Sequence, residues 1–600
     1  VQLRLRPAED HLVRRLAETL RVRGATARCL VGRGVTDPTA AQGFIDPRLA
    51  ALRPPAGLAG MTKAVNRISD AVVRGERIGV FGDYDVDGVT TAALLTSFLR
   101  ASGATVECAV ARRDAGYGFT PAAAADFGKR ACTLVITGDC GTNDLDAIMA
   151  GAAFGIETII VDHHTVPPAE KLQAHPAYAL VNPFRADSTF PFRGMASVGL
   201  AFYVAATVRT ELRDRGWYGP STGRREPDVR DLLDLVALGT IADLVPLTSE
   251  NRILTSLGLR RLESRARPGI AAMLAACGNG DRPVDAHTVA WKLAPRLNAP
   301  GRLGAAEPSL SLLLADEATA QERAAVLEGM NLERREIQAR VVDEALASIE
   351  ARLETTGGPG PAIVIAGEGW PTGIVGLVAS KLVDKYQRPA FVVGIDPVTG
   401  LGRGSARTPG TVNLYDALSM AAKSMPAGTQ LERFGGHAAA AGFTVMRDSF
   451  EALQEALDAS CGTLAAGSGP VETGRSIDAE VRLAEVDERL ATELAGLGPF
   501  GQHNPAPMLV TRNARVTSAR RVGNDKHLKL TIEDSSGTIR SAIGFNLGDR
   551  QVEPGAHLDL AFVPKISTYL GRSNAELEVS DLEIVQAAPV MVEAQPSLLS

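Results

Sequence analysis

Gly82-Asp83-Tyr84-Asp85-Val86-Asp87-Gly88 sets three carboxylates at alternate positions between two glycines. The run before it, Ile78-Gly79-Val80-Phe81, reads as a buried strand, and Val89 to Leu99 carries helical spacing in Leu94, Leu95, Phe98 and Leu99. The acids therefore sit on a strand-to-helix turn. Crowded carboxylates repel one another, and burial pushes each toward protonation, unless a hard divalent cation joins them. Carboxylate oxygen suits magnesium or manganese. The plainer alternatives are a helix-capping cluster and a solvated turn. An EF-hand loop shares the Asp-x-Asp-x-Asp-Gly pattern, but it needs a helix upstream and a bidentate Glu at its twelfth position, where Leu94 stands.

From about Met61 the pattern alternates between strand and helix. Thr105 to Ala111, Leu134 to Thr137 and Thr158 to Val161 read as strands, with helical stretches such as Asp144 to Ala153 between them. Alternation of this kind predicts a parallel sheet covered by helices, with ligands bound beyond the carboxyl ends of its strands. The later strands end at Asp139 and at Asp162-His163-His164, so three acidic clusters fall at strand ends. Neighbouring strands lie about 4.8 Å apart, and bridged metal ions about 3.5–4 Å apart. Adjacent strand ends can thus supply a dinuclear site. Imidazole joins carboxylates around manganese. Neighbours on a strand point to opposite faces, a rule that relaxes at its end. One of His163 and His164 is then a ligand, and the other polarises a phosphate or carries a proton; Asp162 could orient the ligating ring. Asp243 follows the apolar helix Asp231 to Thr240 and is flanked by apolar residues, which makes it either a helix cap or a further ligand.

Outside this region the chain divides by composition. Residues 1–60 form an N-terminal arm with Leu12, Leu16 and Leu20 at helical spacing and a helix start at Thr36-Asp37-Pro38; nothing in it suggests chemistry. Ala294 to Gly304 reads as a Gly/Pro-rich loop in which Arg296 and Arg302 suit phosphate, and Pro308 to Leu353 as long helical structure. A second α/β unit opens at Pro361, with strands Ala362 to Ala366 and Ala390 to Gly394 around helix Gly373 to Tyr386. Gly402-Arg403-Gly404-Ser405-Ala406-Arg407 and Phe434-Gly435-Gly436-His437 are expected to be Gly-rich loops that let backbone approach a polyanion. A linker is expected from Gly467 to Gly474. Short strands then run from Ala514 to Val579, interspersed with Arg512, Arg515, Arg520, Arg521, Lys526 and Lys529, and predict a small barrel. A disordered tail is expected from Ala587.

Composition excludes some classes. Six hundred residues predict several domains, and 45% hydrophobic with 22% charged residues is ordinary for globular protein. A net charge of −6 means that any nucleic acid is held by local patches. The six cysteines show no C-x-x-C pairing, which predicts a reduced, cytoplasmic protein without zinc. Charge near the start leaves no signal-peptide core, and no apolar run is long enough for a bilayer.

Taken in order, GDYDVDG, TGDCGTND, VDHH and GTIADLVPL resemble the DHH phosphoesterase superfamily, and within it the RecJ-like, single-strand-specific exonucleases of bacteria. The resemblance runs over most of the chain. It implies an α/β parallel-sheet DHH domain over 61–265, a helical connector over 266–355, a second α/β (DHH-associated) domain over 360–466, an OB-like barrel over 475–586 and a tail over 587–600. It implies two Mn²⁺ or Mg²⁺ ions held by Asp85, Asp87, Asp139, His163 and Asp243, with His164 catalytic and Asp83 supporting. Arg112, Arg296, Arg302, Ser405, Arg407 and His437 become candidates for binding phosphate. The implied activity is 5′→3′ degradation of single-stranded DNA to mononucleotides in repair and recombination, by a monomer working with a single-strand-binding protein and a helicase. The rivals are a phosphodiesterase for short oligonucleotides or cyclic dinucleotides, and a non-catalytic repair scaffold. One departure stands out: relatives commonly carry His after the Trp of the Trp-x-x-Gly stretch, and here Pro371 follows Trp370.

Overall fold

The computed structural model describes residues 3–116, 118–168, 174–356, 358–467, 474–569 and 572–586. Residues 468–473 of the linker expected from Gly467 to Gly474, and the tail from Ala587, lie outside them. The chain forms two compact units, one of residues 53–245 and 249–471, the other of 1–52, 246–248 and 472–600.

In the larger unit, five parallel strands lie in the order Thr105–Val110, Arg77–Gly82, Leu134–Gly138, Glu157–Val161 and Ala179–Val181. The last was not anticipated. Leu134–Gly138 is buried throughout, and Arg77–Gly82 is buried from Ile78 onward, as strands covered on both faces must be. Helix Val86–Ala101 is buried almost all round. Register matters most. Gly82 lies beside Gly138, and Gly138 beside Val161, so the residues that follow emerge together. The amides of Asp83, Asp139 and Asp162 each donate to the last carbonyl of the adjacent strand, at 3.2, 3.1 and 3.1 Å.

A second sheet runs Leu431–Gly436, Ala440–Met446, Leu401–Arg407, Ala390–Ile395 and Ile363–Glu368, parallel only in its last pair. The 37-residue helix Ala320–Thr356 packs Val341, Ala345 and Ile349 into its core with Ile363 and Ile374. Three expectations are corrected. Phe434, Gly435 and Gly436, expected in a Gly-rich loop, pair with Phe443, Gly442 and Ala441 as the end of strand Leu431–Gly436, and His437 lies in the turn after it. Leu401–Arg407 is a strand, because its glycines answer crowding: a side chain at Gly404 would collide with the Phe443 ring. Ala294–Leu303 is a helix, with Pro295 in its first turn, Pro300 inside it and a π-helical turn, Val289–Leu293, before it. Gly301 is there because its helix presses on the Tyr84 carbonyl, which a side chain would strike.

The smaller unit holds a closed barrel of Leu509–Val522, His527–Glu533, Ile539–Gly544, Arg572–Gln586 and His557–Tyr569, closed by pairing of the first with the last. Leu509–Val522 serves both neighbours by bending at two register shifts. The N-terminal arm is part of this unit. Leu3–Leu5 pairs in parallel with Arg475–Ile477, and Leu16, Leu30 and Ala41 share one core with Leu509, Leu528 and Leu558. Pairing across so much intervening chain leaves no local signal.

Candidate active site

The turn after Arg77–Gly82 is built for crowding. Asp85 caps helix Val86–Ala101 by accepting the Gly88 amide at 3.1 Å. A side chain at Gly88 would stand 2.6 Å from the Asp83 carbonyl oxygen, so the helix can start this close only from glycine. Asp87, in the first turn, accepts the amides of Ser197 (2.7 Å) and Val198 (3.0 Å) at the head of helix Ser197–Asp214. Asp139 adopts left-handed backbone with φ 62°, a region Asp visits more readily than most residues, and accepts the Ser197 hydroxyl at 3.2 Å. Asp243 ends helix Leu233–Ala242.

His163 stands among these acids, its Nε2 3.2 Å from Asp139, 3.5 Å from Asp243 and 3.8 Å from Asp87. His164 places Nδ1 2.7 Å from Asp162 Oδ1 and 3.8 Å from Asp139. The two rings thus sit together, centroids 4.9 Å apart, because the strand has ended. Asp162 also accepts the Thr142 hydroxyl at 2.6 Å and the amides of His163 and His164. It orients His164, where the sequence suggested the ligating ring.

Burial and mutual repulsion push the carboxyls of Asp83 and Asp139 well above the usual range, that of Asp87 to about 7 and that of Asp243 to about 9. Burial and the neighbouring His164 lower His163 to about 4. Burial opposes charge on His164 too, yet the bond and charge of Asp162 outweigh it and raise His164 to about 8. Asp162 is held at about 2, its burial more than offset by His164 and Thr142. The fit to cations follows from the same atoms. Asp83 Oδ2, Asp243 Oδ2 and His163 Nε2 are buried without a hydrogen-bond partner. Three overlapping groups, Asp139 with His163 and His164, Asp87 with His163 and Asp243, and Asp83 with Asp85 and Asp139, each bring ligand atoms within 4.8 Å. Shared members are what a bridged pair of hard cations requires, and the donor set of oxygens with imidazole suits Mn²⁺ or Mg²⁺.

Beside the acids lies a positive cluster. Arg302 is lowered to about 10 by burial and by Arg113, Arg334 and Arg407. Its guanidinium donates to the Gly373 carbonyl (3.2 Å), Arg113 donates to the Gly301 carbonyl (2.8 Å) and lies over the Tyr84 ring, and Arg407 donates to the Ser405 hydroxyl (3.1 Å). Arg334 donates to Gln338 and Asn331. Among the described residues none of the four arginines has a carboxylate at ion-pair distance. Gly376, in the second turn of helix Thr372–Tyr386, lies against Ser405 and Arg407, and Pro371 caps that helix without a side-chain hydrogen bond.

Other candidates stand elsewhere. Arg112 is exposed and paired with Asp114 at 2.8 Å; the ring-stacked Arg113 next to it was overlooked. Arg296 is held by Glu328. His437 is exposed in the turn between two strands, its amide on the Ala440 carbonyl. Ser197 and Arg334 carried no sequence signal beyond their type. On the barrel, Arg512, Arg515 and Lys529 pair with Asp559, Glu533 and Glu576, while Arg520, Arg521 and Lys526 are exposed around one hairpin.

Family models match the DHH family N-terminal domain over residues 77–240, the DHHA1 domain over 360–463 and the RecJ OB domain over 477–581. Among curated relatives, the single-stranded-DNA-specific exonuclease RecJ of Dickeya dadantii is 34% identical, with 97% of this chain and 99% of that protein covered. RecJ of Bacillus subtilis is 33% identical, covering 96% and 70%. The crystal structure of RecJ with Mn²⁺ from Thermus thermophilus superposes with a TM-score of 0.79 at 27% identity, covering 98% of this chain and 80% of that one. A structure of exonuclease RecJ bound to manganese is 31% identical with a TM-score of 0.55, covering 69% and 96%.

Proposed function

We infer what this chain does from one premise: it belongs to the RecJ family of single-stranded-DNA-specific exonucleases. It is a DHH phosphodiester hydrolase of DNA repair and recombination, dependent on Mn²⁺ or Mg²⁺, that removes mononucleotides from the 5′ end of single-stranded DNA. The observation that carries this reading is the meeting of two uncompensated clusters, acids crowded at strand ends and arginines without carboxylates beside them. Asp85, Asp87, Asp139, His163 and Asp243 would hold two cations, with Asp83 supporting the turn. When bound, such ions supply Lewis acidity at the phosphate and a water acidified toward hydroxide.

The chain's own residues supply the rest. His163, lowered to about 4, is neutral at physiological pH and so keeps a lone pair for ligation. His164, raised to about 8, is largely protonated and half exposed, and donates to a phosphate oxygen or to the leaving 3′ oxygen. Asp162 holds that ring by Nδ1 at 2.7 Å and so fixes its orientation. Arg302, Ser405 and Arg407 hold the terminal 5′ phosphate, which bears more charge than an internal diester. Arg112, Arg296 and His437 take no part in that pocket. The RecJ-type barrel and full-length relatives weigh against a short-oligonucleotide or cyclic-dinucleotide phosphodiesterase, and the complete acid set weighs against a scaffold. A monomer in the cytoplasm, met by a single-strand-binding protein and a helicase, completes the reading.

Digestion of 5′- and 3′-labelled single and double strands with Mn²⁺ tests it. Early release of the 5′ label as a mononucleotide from single strands is expected. Loss from the 3′ end, or equal digestion of blunt duplex, would overturn it.

A further inference from the structure

Trp291 is 71% exposed, the most exposed of the Phe, Tyr and Trp side chains among the described residues. The other two tryptophans are anchored. Trp370 is buried with its indole N–H on Glu344 (2.7 Å), and Trp217 lies under Arg224 with its N–H on the Ser102 carbonyl (2.9 Å). Among the described residues, the exposed His287 ring stands beside Trp291, one turn earlier, with centroids 6.1 Å apart and planes 36° from parallel.

Its position gives the two rings a meaning. Trp291 and Arg302 lie on one continuous helical run, Ala286–Thr288, Val289–Leu293 and Ala294–Leu303. They are about three turns apart and so share a face, the π-helical turn shifting them by only a fraction of a turn. Half-buried Pro295 and Asn298 lie between them on that stripe. The far end of the run is at the site, where Gly301 presses on Tyr84 and the Arg302 backbone meets Gly373. Arg334 of the neighbouring long helix is lowered by burial and by Arg335 and Arg296, the last of which is itself held by Glu328. The separation is about 16 Å along the axis at 1.5 Å per residue. A single strand covers that in about five nucleotides at the 3.4 Å stacking rise, and in fewer when stretched.

We propose that Trp291, with His287, is a stacking post for the bases of the incoming single strand, set about five nucleotides or fewer behind the terminal phosphate. This rests on the exonuclease reading above. Every base offers a π-face, so such a post grips without reading sequence, as an enzyme that advances along any strand requires. It also favours strands long enough to reach it.

The test uses the full chain carrying Asp139→Asn, so that strands bind with Mn²⁺ but are not cut. Indole fluorescence is followed while 5′-phosphorylated oligothymidylates of two to ten nucleotides are added. Quenching is expected only from strands that reach Trp291, and adding Trp291→Ala should remove it. Affinity for the ten-mer should fall between about five- and hundred-fold, with Trp291→Phe recovering much of the loss. A ten-mer that binds without quenching, or that binds the Ala variant as tightly as the parent, overturns the post alone. A parent that binds none of the strands, in a wild type that also degrades none, overturns the exonuclease reading beneath it.

Discussion

His163 and His164 are neighbours in sequence whose basicities move in opposite directions, and the cause is what each nitrogen faces. His163 looks into buried acids that a cation is to join, while His164 looks back at one carboxylate already held by Thr142. Replacing Asp139 by Asn removes the charge and one carboxylate oxygen of a residue common to two of the ligand groups. Its effect on hydrolysis should exceed the ~10–100-fold cost of losing an outer partner, with circular dichroism unchanged. Arg407→Ala should abolish the preference for 5′-phosphorylated over 5′-hydroxyl strands in single-turnover rates and leave Mn²⁺ binding intact. The acids also couple stability to pH. Asp87 and Asp243 ionise near 4 in the unfolded chain, but at about 7 and about 9 in the cation-free fold. Between those values the folded state holds protons that the unfolded state releases, so stability falls as pH rises. Chelated protein should therefore melt progressively lower from pH 5 to pH 9, and saturating Mn²⁺ should flatten that dependence; a melting temperature that rises with pH under chelation would contradict it. At this scale the acids were legible because three clusters ended three strands. Arg113 was not, because which of two adjacent arginines turns inward depends on Tyr84 and Gly301, distant in the chain.

Elements were read well where periodicity governed and badly where glycine did. Gly301, Gly402 and Gly404 looked like loop punctuation, yet each sits in a helix or strand at a point of close approach. Sequence does not distinguish a glycine that bends from one that makes room. Gly301→Ala should push its helix off Tyr84 and displace Arg302. A loss of about 1–3 kcal/mol in urea unfolding is expected, with weaker preference for 5′ phosphate. The barrel shows the same limit for charge. Of six basic residues noted along its strands, three are spent on carboxylates, and Arg520, Arg521 and Lys526 remain exposed at one hairpin. Replacing those three by Ala should reduce the slope of log affinity against log salt by about 2 for a long single strand. The same change at Arg512, Arg515 and Lys529 should alter it little.

For the whole molecule, the order of domains was legible from its motifs, but the place of the first fifty residues was not. Leu16 and Leu30 look like any amphipathic helix, and nothing local says that their partners begin beyond residue 474. A fragment of residues 1–467 should therefore bind a hydrophobic dye and aggregate, whereas one of residues 53–467 should do so far less; equal behaviour would mean that the arm folds without the barrel. The parallel pairing of Leu3–Leu5 with Arg475–Ile477 also sets a timetable for birth. At ~5–20 residues per second, a ribosome needs roughly 20–80 s to make residues 53–473. Through most of that interval residues 3–52 are outside the tunnel with their apolar face uncovered, a natural client for a chaperone that binds nascent chains, and a segment made before residue 53 is finished only after residue 473.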